Sequence, residues 1–205
     1  MNTIKGNLQM DQILTDYDQN DINVIKWQLN TDCVNMSGIV RKCIYGYPAI
    51  ILLSPVEYKS ESVNKESVSK KLNFMALSNP LWLTCPYLNK KIHEFESEGY
   101  IKKITNLIKS DRTLVELMKN AHANYYFLRR NLYSMEFGEI SSLEFSSKVL
   151  HAGIGGIKEI DNIKCLHQHY SHFLVCDDNI PGRIVLNLLN GITYCRERLC
   201  DNASE

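Results

Sequence analysis

The spacing of the apolar residues changes in the middle of the chain, at Pro86. Before this residue, apolar side chains form short runs such as Ser37–Cys43 and Tyr47–Ser54, which a segment containing Gly46 separates. Such runs are typical of β-strands joined in a hairpin. After Pro86, apolar residues recur every three or four positions, which is the spacing of amphipathic helices. The sequence therefore predicts an α+β fold, with a small N-terminal antiparallel sheet followed by a mainly helical body.

The boundaries of the other elements follow from local signals. Residues 1–20 are polar and are expected to form an arm, and residues 21–200 are expected to form a single α+β domain. The segment Asp21–Leu29 predicts a strand or the start of the domain, and Phe74–Thr84 predicts a third strand. The longest helix is expected to begin after Ser110, and another is expected over Asp161–Val175 with Asp161 as its N-cap.

The composition excludes several classes of protein. Lys and Arg together number 23, and Asp and Glu together also number 23. The chain therefore lacks the basic excess that is usual in a nucleic-acid-binding protein. The longest apolar stretch, Ala49–Leu53, is far shorter than the roughly 20 residues that span a membrane. Seven cysteines form an odd number, and no export signal is visible. We therefore expect reduced thiols in a cytoplasmic protein that binds no membrane.

A dense run of metal-capable side chains lies between Cys165 and His172. At helical spacing, His167 points nearly opposite to the other metal-capable side chains of this segment. One helix rarely completes a metal site, because its consecutive turns diverge from a common centre. Further ligands are therefore expected from elsewhere in the chain. Within an arc of ~60° the helix would hold four candidates: Cys165, His169, His172 and Cys176.

Two other cysteines are candidate ligands, because each is predicted where a strand runs into a turn. These are Cys43 and Cys85. Together with Cys165 they could bind zinc with a histidine or water as the fourth ligand, or an iron–sulfur cluster with one open iron. The sequence contains no C-x-x-C pair, and the three cysteines are equally compatible with small buried apolar side chains. Both interpretations stay open at this point.

A second set of candidates lies on the longest predicted helix. His122, Tyr125 and Arg129 follow the spacing i, i+3 and i+7, which places them on one face within ~60°. Arginine binds carboxylates and phosphates through its planar fork, and histidine and tyrosine can exchange protons. The pattern is also typical of a helix face whose tyrosine packs and whose arginine pairs with a glutamate. The glycines Gly153, Gly155 and Gly156 form a loop that could wrap amides around an anion.

Taken together, these segments resemble a bacterial family known as domain of unknown function 501. The resemblance extends from about Gln28 to Leu189, and Ser171 stands where the family usually has alanine. The motifs that carry it are, in chain order, Arg41–Pro48, Trp82–Pro86, the set Ala121, His122, Tyr125 and Arg129, the glycines at 153, 155 and 156, and Lys164–His167 with His172.

No activity is established for this family, so the resemblance implies a choice of residues rather than a reaction. The resemblance favours His167 as the metal-binding histidine, whereas the helical spacing favours His169. We predict a cytoplasmic protein that binds zinc or an iron–sulfur cluster through three cysteines and binds or acts on a small anionic ligand. The alternative is a non-catalytic regulatory or partner-binding module with structural cysteines. The predicted residues are Cys43, Cys85, Cys165, His167 and His172 for the metal, His122, Tyr125 and Arg129 for catalysis, and Arg41, Gly153, Gly155, Gly156 and Lys164 for the anion.

Overall fold

The structure, a computed structural model, describes residues 14–32, 35–54, 56–58, 74–76, 79–137 and 152–204. Its first element is helix α1, Gln19–Leu29. The predicted strand here is wrong, because Asp18 and Asp21 form a capping box in which each side chain accepts from the other's backbone N–H. Ahead of this helix, Thr15 donates its backbone N–H to the carbonyl of Ile39 at 2.8 Å.

The strands of the N-terminal half form one antiparallel sheet and a separate strand pair. In chain order they are β1 Met36–Lys42, β2 Pro48–Leu53, the paired β3 Val56–Tyr58 and β4 Phe74–Ala76, and β5 Leu81–Leu83. The sheet has the order β1-β2-β5, and all residues of its central strand β2 are buried. Gly46 lies in the turn between β1 and β2 with a φ of 85°, which favours glycine. The predicted hairpin is therefore confirmed.

Helices dominate the second half of the chain, so the predicted α+β class is confirmed. Short 3-10 helices occur at Ile154–Gly156 and Leu199–Ser204. In the described part of the chain, no helix is long and apolar enough to cross a membrane. The helices are α2 Pro86–Ser97, α3 Tyr100–Ser110, α4 Arg112–Phe137, α5 Leu166–Cys176 and α6 Ile180–Leu188.

Helix α5 contacts α2, α6 and strand β5, and it begins later than the sequence predicts. Its N-cap is Cys165 rather than Asp161. Helix α6 packs closely on it, because Gly182 has no side chain. A Cβ at this position would lie 2.3 Å from the Cβ of Phe173 and 2.5 Å from the carbonyl oxygen of His169. Most residues of α5 are buried, including the polar residues His169, Ser171 and His172.

Candidate metal centre

Helix α5 carries a cluster of metal-capable side chains at each end. Within the described ranges, two sets of three residues have ligand atoms that all lie within 4.8 Å of one another. The N-terminal group, as we name it, consists of Glu96, Cys165 and His167. The C-terminal group consists of His172, Cys176 and Asp178.

The N-terminal group joins the last turn of α2 to the first turn of α5. Glu96 accepts the backbone N–H of Leu166 at 2.6 Å, and this N–H would otherwise lack a partner within the helix. The same carboxylate oxygen, Oε1, lies 3.2 Å from Nδ1 of His167. Cys165 Sγ lies 3.8 Å from that nitrogen. An oxygen, a nitrogen and a sulfur atom therefore converge on one point.

The contact that the second ring nitrogen of His167, Nε2, makes with Asn89 sets the orientation of the ring. Nε2 lies 3.1 Å from the carbonyl oxygen of Asn89, which can only accept, so Nε2 carries a proton. Burial alone would lower the pKa of His167, but its contacts with Cys165, Glu96 and Asn89 outweigh burial and raise the pKa to about 10. Burial opposes the charged form of Glu96 as well, and the contacts with His167 and Leu166 nevertheless lower the pKa of its carboxyl.

Two interatomic distances in the N-terminal group are compatible with a zinc site. Zinc–ligand bonds of 2.0–2.3 Å give a tetrahedron with edges of roughly 3.3–3.6 Å. The two distances from His167 Nδ1 differ from these edges by a few tenths of an ångström. A histidine that binds metal usually donates its other ring N–H to a carbonyl or carboxylate, as His167 does to Asn89. Glu96 and His167 are each 21% exposed, so the group is within reach of solvent.

The predicted ligands Cys43 and Cys85 belong to neither group. Cys85 is the N-cap of α2, and burial raises the pKa of its thiol to about 11. Ligand atoms around one zinc ion lie within about 4 Å of one another. Because Cys43, Cys85 and Cys165 do not form such a set, the structure does not present them as a common zinc site. Glu96 lies beside Cys165 and His167 instead, and the sequence analysis does not find it because it is 70 residues away from the start of α5.

The predicted catalytic residues share one face of α4, but this face points into the core. His122 accepts the N–H of Ile154 at its Nδ1 and donates from Nε2 to the carbonyl of Ile160, each at 3.0 Å. Both ring nitrogens are therefore used, and burial lowers the pKa of His122 to about 4. The neutral ring fastens residues 154–160 onto α4.

Tyr125 and Arg129 make similar internal contacts. Tyr125 is completely buried, which raises the pKa of its hydroxyl, and the ring lies 5.3 Å from the guanidinium of Arg129. Arg129 is 1% exposed and donates to the carbonyl of Ala152. The structure shows these side chains in structural contacts, and their catalytic role stays a prediction.

The glycine loop uses its own amides internally. The N–H groups of Gly153 and Gly156 donate to the backbone carbonyls of Ile157 and Gly153. That of Ile154 donates to His122, and that of Gly155 donates to Asn79 at 3.0 Å. An anion at this loop would have to replace bonds that the protein already makes.

The two other residues predicted to bind the anion lie in different places. A Cβ at Gly155 would lie 3.5 Å from the Cβ of Lys164, so Lys164 lies beside the loop. Arg41, on strand β1, donates to the carbonyl of Leu174 at 2.7 Å, and Lys164 is exposed. Gly153 allows the loop to pack closely against His122 on α4, because a Cβ at Gly153 would lie 2.9 Å from His122 Nδ1.

Comparison with known proteins identifies the family. A sequence model of the family described as Protein of unknown function (DUF501) matches residues 39–187, which is more than half of the chain. The chain belongs to this family. The resemblance predicted from the motifs is thereby confirmed. No curated protein and no solved structure matches the chain.

Residues 39–187, which the family model matches, include all residues of both metal-capable groups. They also include His169, which together with His172 contacts Asn179 in the core. Asn179, the N-cap of α6, accepts the N–H of Gly182 on its Oδ1, which fixes the orientation of its amide. His169 Nδ1 therefore donates to this Oδ1 at 3.1 Å, and Asn179 Nδ2 donates to His172 Nδ1, also at 3.1 Å. Burial lowers the pKa of both histidines to about 3, so both rings are neutral.

The structure differs from the predicted arc of Cys165, His169, His172 and Cys176 on one helix face. Cys165 is the N-cap of α5 and has an extended backbone, with φ at −149° and ψ at 121°. The rotation of 100° per residue applies only within the helix, so it does not place a capping side chain. The structure puts His167 beside Cys165, and it puts His169 in the core against Asn179.

Proposed function

We propose that this protein binds a zinc ion through Glu96, Cys165 and His167, and that a fourth coordination position takes a small anionic ligand. One observation carries the proposal. His167 Nδ1 faces both Glu96 Oε1 and Cys165 Sγ, while its Nε2 donates to the carbonyl of Asn89. This is the ring orientation of a histidine that binds metal.

The donor set favours zinc over an iron–sulfur cluster. Such clusters are held mainly by thiolates, and the N-terminal group contains a single cysteine. Zinc accepts sulfur, nitrogen and oxygen ligands in one tetrahedral site. The thiolate of Cys165 and the carboxylate of Glu96 would balance the two positive charges of the ion.

Two features favour an anion at the fourth position. Three protein ligands and one exchangeable position are typical of catalytic rather than structural zinc. The group also lies at the N-terminus of α5, where the helix dipole favours negative charge. A zinc ion there would polarise its bound ligand or lower the pKa of bound water.

The alternative, a purely structural role, is favoured by one observation. Glu96 caps α5 and pairs with His167 with no metal required. In that case a chelator leaves the stability of the protein unchanged, whereas substitution of Glu96 lowers it. Under the zinc proposal, the chelator itself lowers the melting temperature of the wild-type protein and lowers that of Cys165→Ser by less.

The deciding experiment is the zinc content of protein purified without a metal-affinity tag. We expect Cys165→Ser and His167→Gln each to lose one equivalent of zinc relative to the wild-type protein. Matched controls are Cys43→Ser and Cys85→Ser, which should keep the wild-type content. Loss of zinc in these controls would support the three-thiolate site instead, and unchanged zinc in Cys165→Ser would overturn the proposal. Circular dichroism shows whether each variant is folded.

A further inference from the structure

The C-terminal group is built by the end of α5. His172 and Cys176 are four residues apart on the helix, so their side chains lie on the same face. The helix ends at Cys176, and Asp177 adopts a left-handed conformation with φ at 55°. This turn brings Asp178 back toward the helix, so that its Oδ1 lies 3.7 Å from Nδ1 of His172. Two ligands from one helical turn and a third from the following turn thus meet.

Two of the three residues of the group are buried, the Asp178 side chain is 27% exposed, and one carboxylate oxygen has no hydrogen bond. His172 is 0% and Cys176 is 8% exposed. Asn124 on α4 donates to Oδ2 of Asp178, which holds the carboxyl in place. Oδ1, in contrast, is buried and has no hydrogen-bond partner among the residues that the structure describes. A buried polar atom of this kind is costly unless a donor or a cation satisfies it.

We propose that the C-terminal group is a second metal site, which binds zinc through His172, Cys176 and Asp178. The thiolate and the carboxylate balance the charge of the ion, and the imidazole supplies a neutral third ligand. Cys176 binds as the thiolate, so its proton passes to solvent when the metal enters. The observed distance between Nδ1 and Oδ1 is a few tenths of an ångström longer than the edge of a tetrahedral zinc site.

One existing contact makes this site the weaker of the two. Asn179 Nδ2 donates to His172 Nδ1, and a zinc ion on this nitrogen replaces that hydrogen bond. The cap of α6 survives the replacement, because Gly182 still donates to Asn179 Oδ1. At the N-terminal group, zinc on Nδ1 of His167 replaces the contact with Glu96, but that carboxylate becomes a ligand of the same ion and so keeps a partner. Zinc should therefore fill the N-terminal group first.

The two sites are separate. The two groups come nearest along α5 at His167 and His172, which are five residues and therefore about 7.5 Å of helix rise apart. Metal ions that share ligands lie only about 3.5–4 Å from each other. Substitutions in one group therefore leave the ligands of the other group intact, and each proposal can fail without the other.

The test is a titration of the full-length, chelator-treated protein with cobalt and then with zinc. We expect about two equivalents of metal for the wild-type protein, with a cobalt–thiolate absorption band for each. Asp178→Asn and Cys176→Ser should each bind about one equivalent. Asp178→Asn keeps the shape of the side chain and an oxygen acceptor for Asn124, so it should fold as the wild type does.

The controls separate this inference from the proposed function. Asp177→Asn changes a neighbouring exposed carboxylate that lies outside the group and should still bind about two equivalents. Cys165→Ser should bind one, at the C-terminal group, and the double variant Cys165→Ser, Asp178→Asn should bind none. Wild-type stoichiometry in both Asp178→Asn and Cys176→Ser would overturn the second site. If Cys165→Ser alone kept two equivalents, the proposed function would fail and the second site would stand.

Discussion

Glu96 and His167 link the end of α2 to the start of α5, with Oε1 of the carboxylate 3.2 Å from Nδ1 of the imidazole. The pair spans 71 residues of sequence. It holds His167 with Nδ1 facing a thiol and a carboxylate, which is the feature that makes the N-terminal group a candidate metal centre. Its chemistry can be tested in the metal-free protein as well.

In metal-free protein, His167 should remain protonated through neutral pH. Its pKa is raised from 6.5 to about 10, so the stability from the charged pair is fully present below pH 6.5 and is lost as the pH rises through about 10. An NMR titration of the imidazole in the presence of a chelator measures this. Glu96→Gln should move the midpoint downward, and a wild-type midpoint near 6.5 would contradict the contact.

Removal of the His122 ring should destabilise the protein strongly. His122→Ala leaves the N–H of Ile154 and the carbonyl of Ile160 without their partner in the interior. Each unsatisfied group costs about 1–3 kcal/mol, so we expect a loss of about 3 kcal/mol in the free energy of unfolding. Urea denaturation measures the change. His93→Ala, at an exposed position of α2, is the control and should change the free energy by less than about 1 kcal/mol.

Mild acid should destabilise the fold before most carboxylates are protonated. The pKa of His122 is lowered from 6.5 to about 4, and those of His169 and His172 to about 3. The unfolded chain therefore binds more protons than the native chain as the pH falls below 6.5. Each histidine contributes a slope of up to about 1.4 kcal/mol per pH unit. Urea midpoints at pH 7.5, 6.5 and 5.5 test this, and a flat profile would show that these rings are not held neutral.

Gly182→Ala should be among the most damaging small substitutions. The added Cβ would meet the Cβ of Phe173 at 2.3 Å and the carbonyl of His169 at 2.5 Å, so α6 has to move away from α5. Overpacking of this kind costs about 3 kcal/mol. Gly99→Ala is the matched control, because Gly99 has a φ of 79° but no atom within 4 Å of an added Cβ, and should cost about 1 kcal/mol. Equal thermal shifts in both variants would contradict the close approach of the two helices.

Local signals predicted several elements and misplaced others. The hairpin around Gly46 and the long helix α4 follow the apolar spacing and are present. Helix α1 carried a readable signal in its capping box of Asp18 and Asp21, which the apolar pattern obscured. The start of α5 carried none, because Cys165 makes no side-chain capping bond and Glu96 supplies the partner for the first N–H.

The sequence by itself determined the fold class, the family and the shared face of His122, Tyr125 and Arg129 on α4. Periodicity has this power because helical geometry depends only on neighbours along the chain. The tertiary structure alone decided that this face points inward, onto residues 152–160, and that Glu96 rather than Cys43 or Cys85 lies beside Cys165 and His167. Such contacts join residues far apart in the chain. They depend on how the helices and strands pack together, which the local spacing of apolar residues does not specify.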